Sequence, residues 1–157
     1  MSYDISFFTV EGGLSPEESF ESKCCSVADQ GLPAEDLRRA KQLLERLQNS
    51  MPRSCFSEDD ESISLDDELT GLQVTFFGGD RGAISFPYWH EDEALNPVLQ
   101  YIAQVFSILR DAGNFWIQDS QLGCFLELKD IDKTKGYLQE VFACNRKTFE
   151  MMAQYFR

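Results

Sequence analysis

The alternation of side chains over residues 71–88 restricts most strongly what this chain can fold into. Leu72, Val74 and Phe76 share one side of an extended segment, and Ile84 and Phe86 share one side of the segment that follows. Alternate residues of a strand point to the same face of a sheet. The stretch GGDRG between the two segments holds three glycines, which suits a longer hairpin loop. This region therefore predicts a β-hairpin in an antiparallel sheet.

The other periodic segments extend this sheet and add helices. Strands are predicted at 3–10, at 114–119 and 121–128, and as a short strand around Ile63 and Leu65; helices are predicted at 16–26, 33–49, 96–113 and from Asp132 to the C-terminus. The order strand–helix–strand–strand–helix–strand is that of a ferredoxin-like, or split βαβ, fold. We expect an α+β domain over residues 1–157, with an antiparallel sheet, helices on one face and an added C-terminal helix.

The charge balance and the cysteines limit the partners and the compartment. The chain of 157 residues has 27 acidic and 14 basic residues and a net charge of −13, which disfavours nucleic acids and anionic membranes. No apolar run approaches the roughly 20 residues that span a bilayer, and the N-terminus lacks the basic region of a signal peptide. The five cysteines show no CxxC spacing. We expect a cytoplasmic protein with free thiols.

An acidic block in the first half of the chain is the first candidate for a binding surface. Residues 57–68 carry seven acids and no base, namely Glu58, Asp59, Asp60, Glu61, Asp66, Asp67 and Glu68. Blocks of like charge are commonly solvated, so we expect a mobile, loop-like segment at about 50–68. Such a block attracts a cationic partner, and a basic protein is therefore the expected partner.

Aromatic residues and the single histidine supply the remaining candidates. Trp89 and Trp116 are out of phase with the inward positions of their strands, and His90 lies between a strand and a helix; we expect these three to contact the partner. One histidine excludes multi-histidine metal sites, and no nucleotide or cofactor motif is present. Neither a metal nor a cofactor is expected. An enzyme would have to use His90 with Glu91, or a thiol such as Cys124.

These features favour a protein-binding domain without catalysis. In size, acidity, single-domain build and lack of catalytic residues, the chain resembles bacterial toxin-immunity proteins, although it shares no specific motif with them. The resemblance implies an inhibitor that blocks a basic protein by charge complementarity. Two alternatives remain: a self-associating structural or adaptor subunit that pairs through the broad apolar face of the C-terminal helix, and an enzyme with a non-standard site at His90.

Overall fold

The structure, a computed structural model, describes residues 2–25, 31–88 and 92–155. In these ranges, strands and helices follow each other as β1 (Ser2–Thr9), α1 (Pro16–Cys25), α2 (Ala34–Gln48), β2 (Ser54–Glu58), β3 (Ile63–Asp67), β4 (Gln73–Phe76), β5 (Arg81–Pro87), α3 (Asp92–Ala112), β6 (Phe115–Asp119), β7 (Cys124–Glu127) and α4 (Ile131–Tyr155).

All the described strands form one antiparallel sheet in the order β2-β3-β4-β5-β1-β6-β7. The predicted α+β class and antiparallel sheet are therefore confirmed. The ferredoxin-like order is not confirmed, because the sheet has seven strands. The extra pairing comes from β2 and β3, which extend the sheet at one edge, and from β7, which forms the other edge.

The core lies between the sheet and the helices α2, α3 and α4. Ile5 and Phe7 of β1 point into this core, where Phe7 contacts the rings of Phe76 and Phe115. Phe8 points to the opposite face, which we call the open face. There it contacts Phe20 of α1, so the expectation of helices on one face only is wrong. The reason is that Phe8 is itself apolar and needs a cover on its own side of the sheet.

The N-termini of α1 and α3 differ in how well the sequence predicts them. The helix α1 begins at the predicted residue, and a capping box closes its N-terminus: the backbone N–H of Glu18 donates to Ser15 Oγ at 3.1 Å, and the Glu18 carboxylate accepts from the N–H of Ser15 at 2.8 Å. By contrast, α3 begins at Asp92, four residues before the predicted start at residue 96, and Pro97 is its sixth residue. At this position proline has no N–H to donate to the carbonyl of Glu93, so the helix lacks one of its i→i−4 hydrogen bonds there.

The segment at 50–68, predicted as mostly loop, contains β2 and β3. The short strand expected around Ile63 and Leu65 is confirmed as β3, whereas β2 was not predicted. The hairpin at 71–88 is confirmed as β4 and β5. Among the described residues, no helix is both long and apolar enough to span a membrane.

Candidate protein-binding surface

The acidic block forms a hairpin at the edge of the sheet. β2 and β3 pair antiparallel from Ser54↔Asp67 to Glu58↔Ile63, and β2 is the outermost strand. Four of the five β2 residues are exposed. The sheet therefore presents carboxylates at both ends of its outermost hairpin: Glu58, Asp59, Asp60 and Glu61 at the turn, and Asp66 and Glu68 near the other end. We call these six residues the acidic edge.

Asp59 builds the turn of this hairpin. Its carboxylate accepts hydrogen bonds from the backbone N–H groups of Glu61 at 2.8 Å and Ser62 at 2.7 Å, and from the Ser62 hydroxyl. The backbone bonds from Glu61 and Ser62, followed by the hydroxyl bond, lower the pKa of Asp59 below its ordinary value. The turn thus holds the negative charge of Asp59 in a fixed place.

Glu58 and Asp60 tie the hairpin to the preceding part of the chain. Glu58 forms an ion pair with Lys41 of α2 at 2.9 Å, and both side chains are about half exposed. The backbone carbonyl of Asp60 accepts a hydrogen bond from the N–H of Leu32 at 3.0 Å. The side chains of Asp60 and Glu61 are exposed, and their charges face solvent.

The three acids at the other end have different roles. Asp66 is partly exposed and accepts hydrogen bonds from Gln73 and Ser64 on the open face. Glu68 is exposed. Asp67 is only 2% exposed, and one of its oxygens accepts from the N–H and hydroxyl of Thr70 at 2.9 and 2.6 Å. Asp67 therefore supports the turn after β3, and its side chain is not on the surface that a partner would touch.

The aromatic candidates do not lie beside the acidic edge. Trp116 is half-buried on the open face of β6, where its cross-strand partners are Phe8 and Glu127. β6 is five strands away from β2, which at the usual strand spacing is about 24 Å. Trp89 and His90 lie outside the described residues. The structure thus brings the predicted acids together and keeps Trp116 away from them.

A cleft of about 260 Å³ lies between α1 and the open face, and sequence reasoning missed it. Its lining includes Phe8, Phe20, Phe77, Lys23, Arg81 and Ala83. The Lys23 ammonium pairs with Asp80 and donates to Thr9 Oγ1 at 2.9 Å, and Arg81 donates to the backbone carbonyl of Lys23. Since both cations already have partners, an anionic ligand would have to displace existing bonds. Apolar surface is what this cleft chiefly offers.

A buried carboxylate on the other face was also missed. Asp119 is fully buried; one oxygen accepts the hydroxyls of Tyr3 at 2.7 Å and Tyr137 at 2.6 Å, and the other accepts the N–H groups of Gln121 and Leu122. All four contacts satisfy the charge inside the protein. Asp119 therefore connects β1, β6 and α4, which is a structural role.

The thiol proposed for an enzyme, Cys124, lies in surroundings that disfavour its ionised form. Burial, helped by the carboxylates of Asp119 and Glu140, raises the pKa of Cys124 above its ordinary value. The thiolate is the nucleophilic form of cysteine, so a raised pKa disfavours catalysis by this residue. Among the described cysteines, Cys55, Cys124 and Cys144 are free. In the described part of the chain, no group of three or more His, Cys, Asp or Glu side chains could hold a metal ion.

Comparisons with known proteins give no relative. No protein-family model matches the chain, and no curated protein or solved structure matches it.

Proposed function

We propose that this chain is a protein-binding domain without catalysis that docks a basic protein on its acidic edge. The observation that carries the proposal is the position of that charge. Exposed carboxylates lie at both ends of the outermost hairpin of the sheet, where a partner can reach them without any change in the fold. Complementary charge raises the rate of encounter and selects for cationic surfaces.

The narrower form of the proposal is an immunity protein, an inhibitor that neutralises a basic toxin by covering it in the cytoplasm. Its support is the same as for the broader form: a net charge of −13 for the whole chain, to which the six carboxylates of the acidic edge contribute, together with free thiols at the described cysteines Cys55, Cys124 and Cys144. The two forms differ only in what the partner does when it is free.

A pull-down of partners from the native host at low and high salt tests the broader form. We expect a single stoichiometric protein of basic composition that is retained at low salt and lost as salt increases, because surface ion pairs are screened. If that partner is toxic when expressed alone and harmless together with this chain, the narrower form holds. Retention of no protein at low salt contradicts the proposal in both forms.

Charge variants then locate the docking surface. Asp60→Asn, Glu61→Gln and Glu68→Gln together remove three exposed charges from the acidic edge. A matched control, Glu17→Gln, Glu21→Gln and Glu140→Gln, removes the same charge from exposed positions on α1 and α4. We expect the edge variant to bind the captured partner about tenfold more weakly at low salt. Equal weakening in the two variants would mean that net charge, rather than this edge, governs binding.

Self-association through α4 is the second candidate. A groove of about 370 Å³ between α3 and α4 is lined by Asn96, Leu99, Leu138, Gln139 and Phe142, and Met151 further along α4 is 53% exposed. Apolar surface left open on a helix suits a second copy of the chain. Light scattering over a range of concentrations decides this candidate, since a constant monomeric mass would contradict it.

A further inference from the structure

The backbone of β2 offers hydrogen-bonding groups that no other described residue pairs with. The N–H of Asp59 donates to the carbonyl of Ser62 at 3.0 Å, which makes these two a hydrogen-bonded pair of the β2–β3 ladder. Bonded and non-bonded pairs alternate in an antiparallel ladder. By this alternation Ser57 and Cys55 bond to β3, and the N–H and C=O groups of Phe56 and Glu58 point away from it.

The next ladder gives the same alternation independently. The N–H of Asp67 donates to the carbonyl of Leu72 at 2.8 Å, so the odd-numbered residues of β3 bond to β4. The even-numbered residues of β3 must then bond to β2, as the first ladder requires. At the start of β2, both backbone groups of Ser54 already have hydrogen-bond partners: the N–H donates to the carbonyl of Met51, and the carbonyl accepts from the Gln48 side chain at 3.4 Å. Within the described residues, the free positions on β2 are therefore Phe56 and Glu58.

The two sides of this edge differ in chemistry. On the helix side, Phe56 is 40% exposed, and the charge of Glu58 is already compensated by Lys41. On the open face, Cys55 and Ser57 are small and exposed. Asp66 lies directly across from Cys55, so its Cα is about 10 Å from the place of an added strand.

We propose that β2 accepts an extended segment of the basic partner as an additional antiparallel strand, with apolar side chains toward Phe56 and Lys or Arg side chains on the open face toward Asp66. This inference rests on the proposed function and specifies how the partner is recognised. Main-chain bonds to Phe56 and Glu58 supply affinity, and alternate side chains supply specificity.

The test uses a synthetic peptide, acetyl-Arg-Val-Arg-Phe-Arg-Val-Arg-amide, and the full chain labelled with nitrogen-15. We expect amide exchange at Phe56 and Glu58 to be fast in the free protein and to slow at least about tenfold when the peptide is bound. The same peptide with N-methyl groups on its three apolar residues keeps its charge and loses the donors that face β2. We expect it to bind at least about tenfold more weakly, the effect of one or two lost hydrogen bonds.

A proline variant tests the same contact from the side of the protein. Phe56→Pro removes the outward N–H, leaves every bond to β3 in place and does not change the charge, and proline is tolerated on edge strands. Phe56→Val is the matched control, since it also loses the ring and keeps the N–H. We expect at least about tenfold weaker peptide binding for Phe56→Pro and less than about threefold for Phe56→Val.

The outcomes separate this inference from the function on which it rests. If the captured partner depends on the acidic edge while Phe56→Pro, the N-methylated peptide and β2 exchange show no effect, added-strand recognition is wrong and charge docking stands. If the peptide does not bind at all, added-strand recognition is also wrong. If Phe56→Pro fails to fold, exchange in the wild-type chain and the N-methylated peptide still decide the question.

Discussion

At the scale of single residues, the buried cluster of Asp119, Tyr3 and Tyr137 should make the free energy of unfolding depend on pH in the alkaline range. Burial and the hydrogen bond to Asp119 raise the pKa values of Tyr3 and Tyr137 far above their ordinary value of 10.0. The stability that these two tyrosines contribute is fully present below about pH 10, where the tyrosines of the unfolded chain are also protonated. It is lost as the pH rises further, because the unfolded chain then releases protons that the folded protein retains.

Tyr137→Phe tests this dependence. We expect the variant to be less stable at pH 8, since Asp119 loses one donor, and to lose stability less steeply above pH 10. The slope should be smaller by up to about 1.4 kcal/mol per pH unit, which is the effect of one proton. Urea unfolding at several pH values measures both quantities. An unchanged slope would mean that Tyr137 releases its proton equally in both states.

Gly82 of β5 lies directly opposite Phe7 of β1, and only glycine leaves enough room for the Phe7 ring there. A Cβ at this position would overlap the Thr75 carbonyl and the Phe7 ring. Gly82→Ala should therefore destabilise the protein by about 3 kcal/mol in chemical denaturation. Gly136 in α4 is the matched control, because a Cβ there meets no atom within 4 Å, and Gly136→Ala should stabilise by roughly 0.5–1 kcal/mol. Equal effects at the two positions would contradict this explanation.

At the scale of elements, strands with alternating apolar residues were predictable and the edge strand was not. Leu72, Val74 and Phe76 alternate because β4 is covered on one face, and that pattern is readable in the sequence. The sequence of β2, Ser-Cys-Phe-Ser-Glu, buries almost nothing, so burial imposes no pattern on it. The candidate surface lies on β2, and for this reason sequence reasoning found its charges without finding its strand.

The position of α1 also depends on contacts that lie far apart in the sequence. Phe20 packs between Phe8 and Phe125, with ring centroids 5.4 and 5.9 Å away. We expect Phe20→Ala to increase amide exchange through α1 and to leave protection in α2, α3 and α4 unchanged. Phe77→Ala, at an exposed ring lining the same cleft, is the control and should change little. Faster exchange across the whole protein would show that α1 unfolds only with the core.

At the scale of the whole molecule, the arrangement of the site residues depends on the strand order. Trp116 and the acidic block were equally plausible parts of one surface in the sequence. Their separation follows from β1 pairing between β5 and β6, which places most of the sheet between them. No local sequence pattern encodes pairings between strands that are about 80 and 110 residues apart. The sequence therefore identifies the acidic residues and Trp116, but only the fold shows that they lie far from each other.

We expect the net charge of −13 to lower the free energy of unfolding, and the acids of the acidic edge to contribute to this effect. Like charges repel one another in the compact state, so we expect the free energy of unfolding to increase as NaCl rises from 10 to 200 mM (roughly the range over which screening becomes effective). The variant Asp60→Asn, Glu61→Gln, Glu68→Gln should be more stable than the wild type by a few tenths of a kcal/mol at low salt, and the difference should vanish at high salt. Urea unfolding at the two salt concentrations measures this.

Residues that lower stability and yet are needed for binding are typical of a functional surface. If the same variant were less stable than the wild type, the acids would instead be part of what holds the hairpin together.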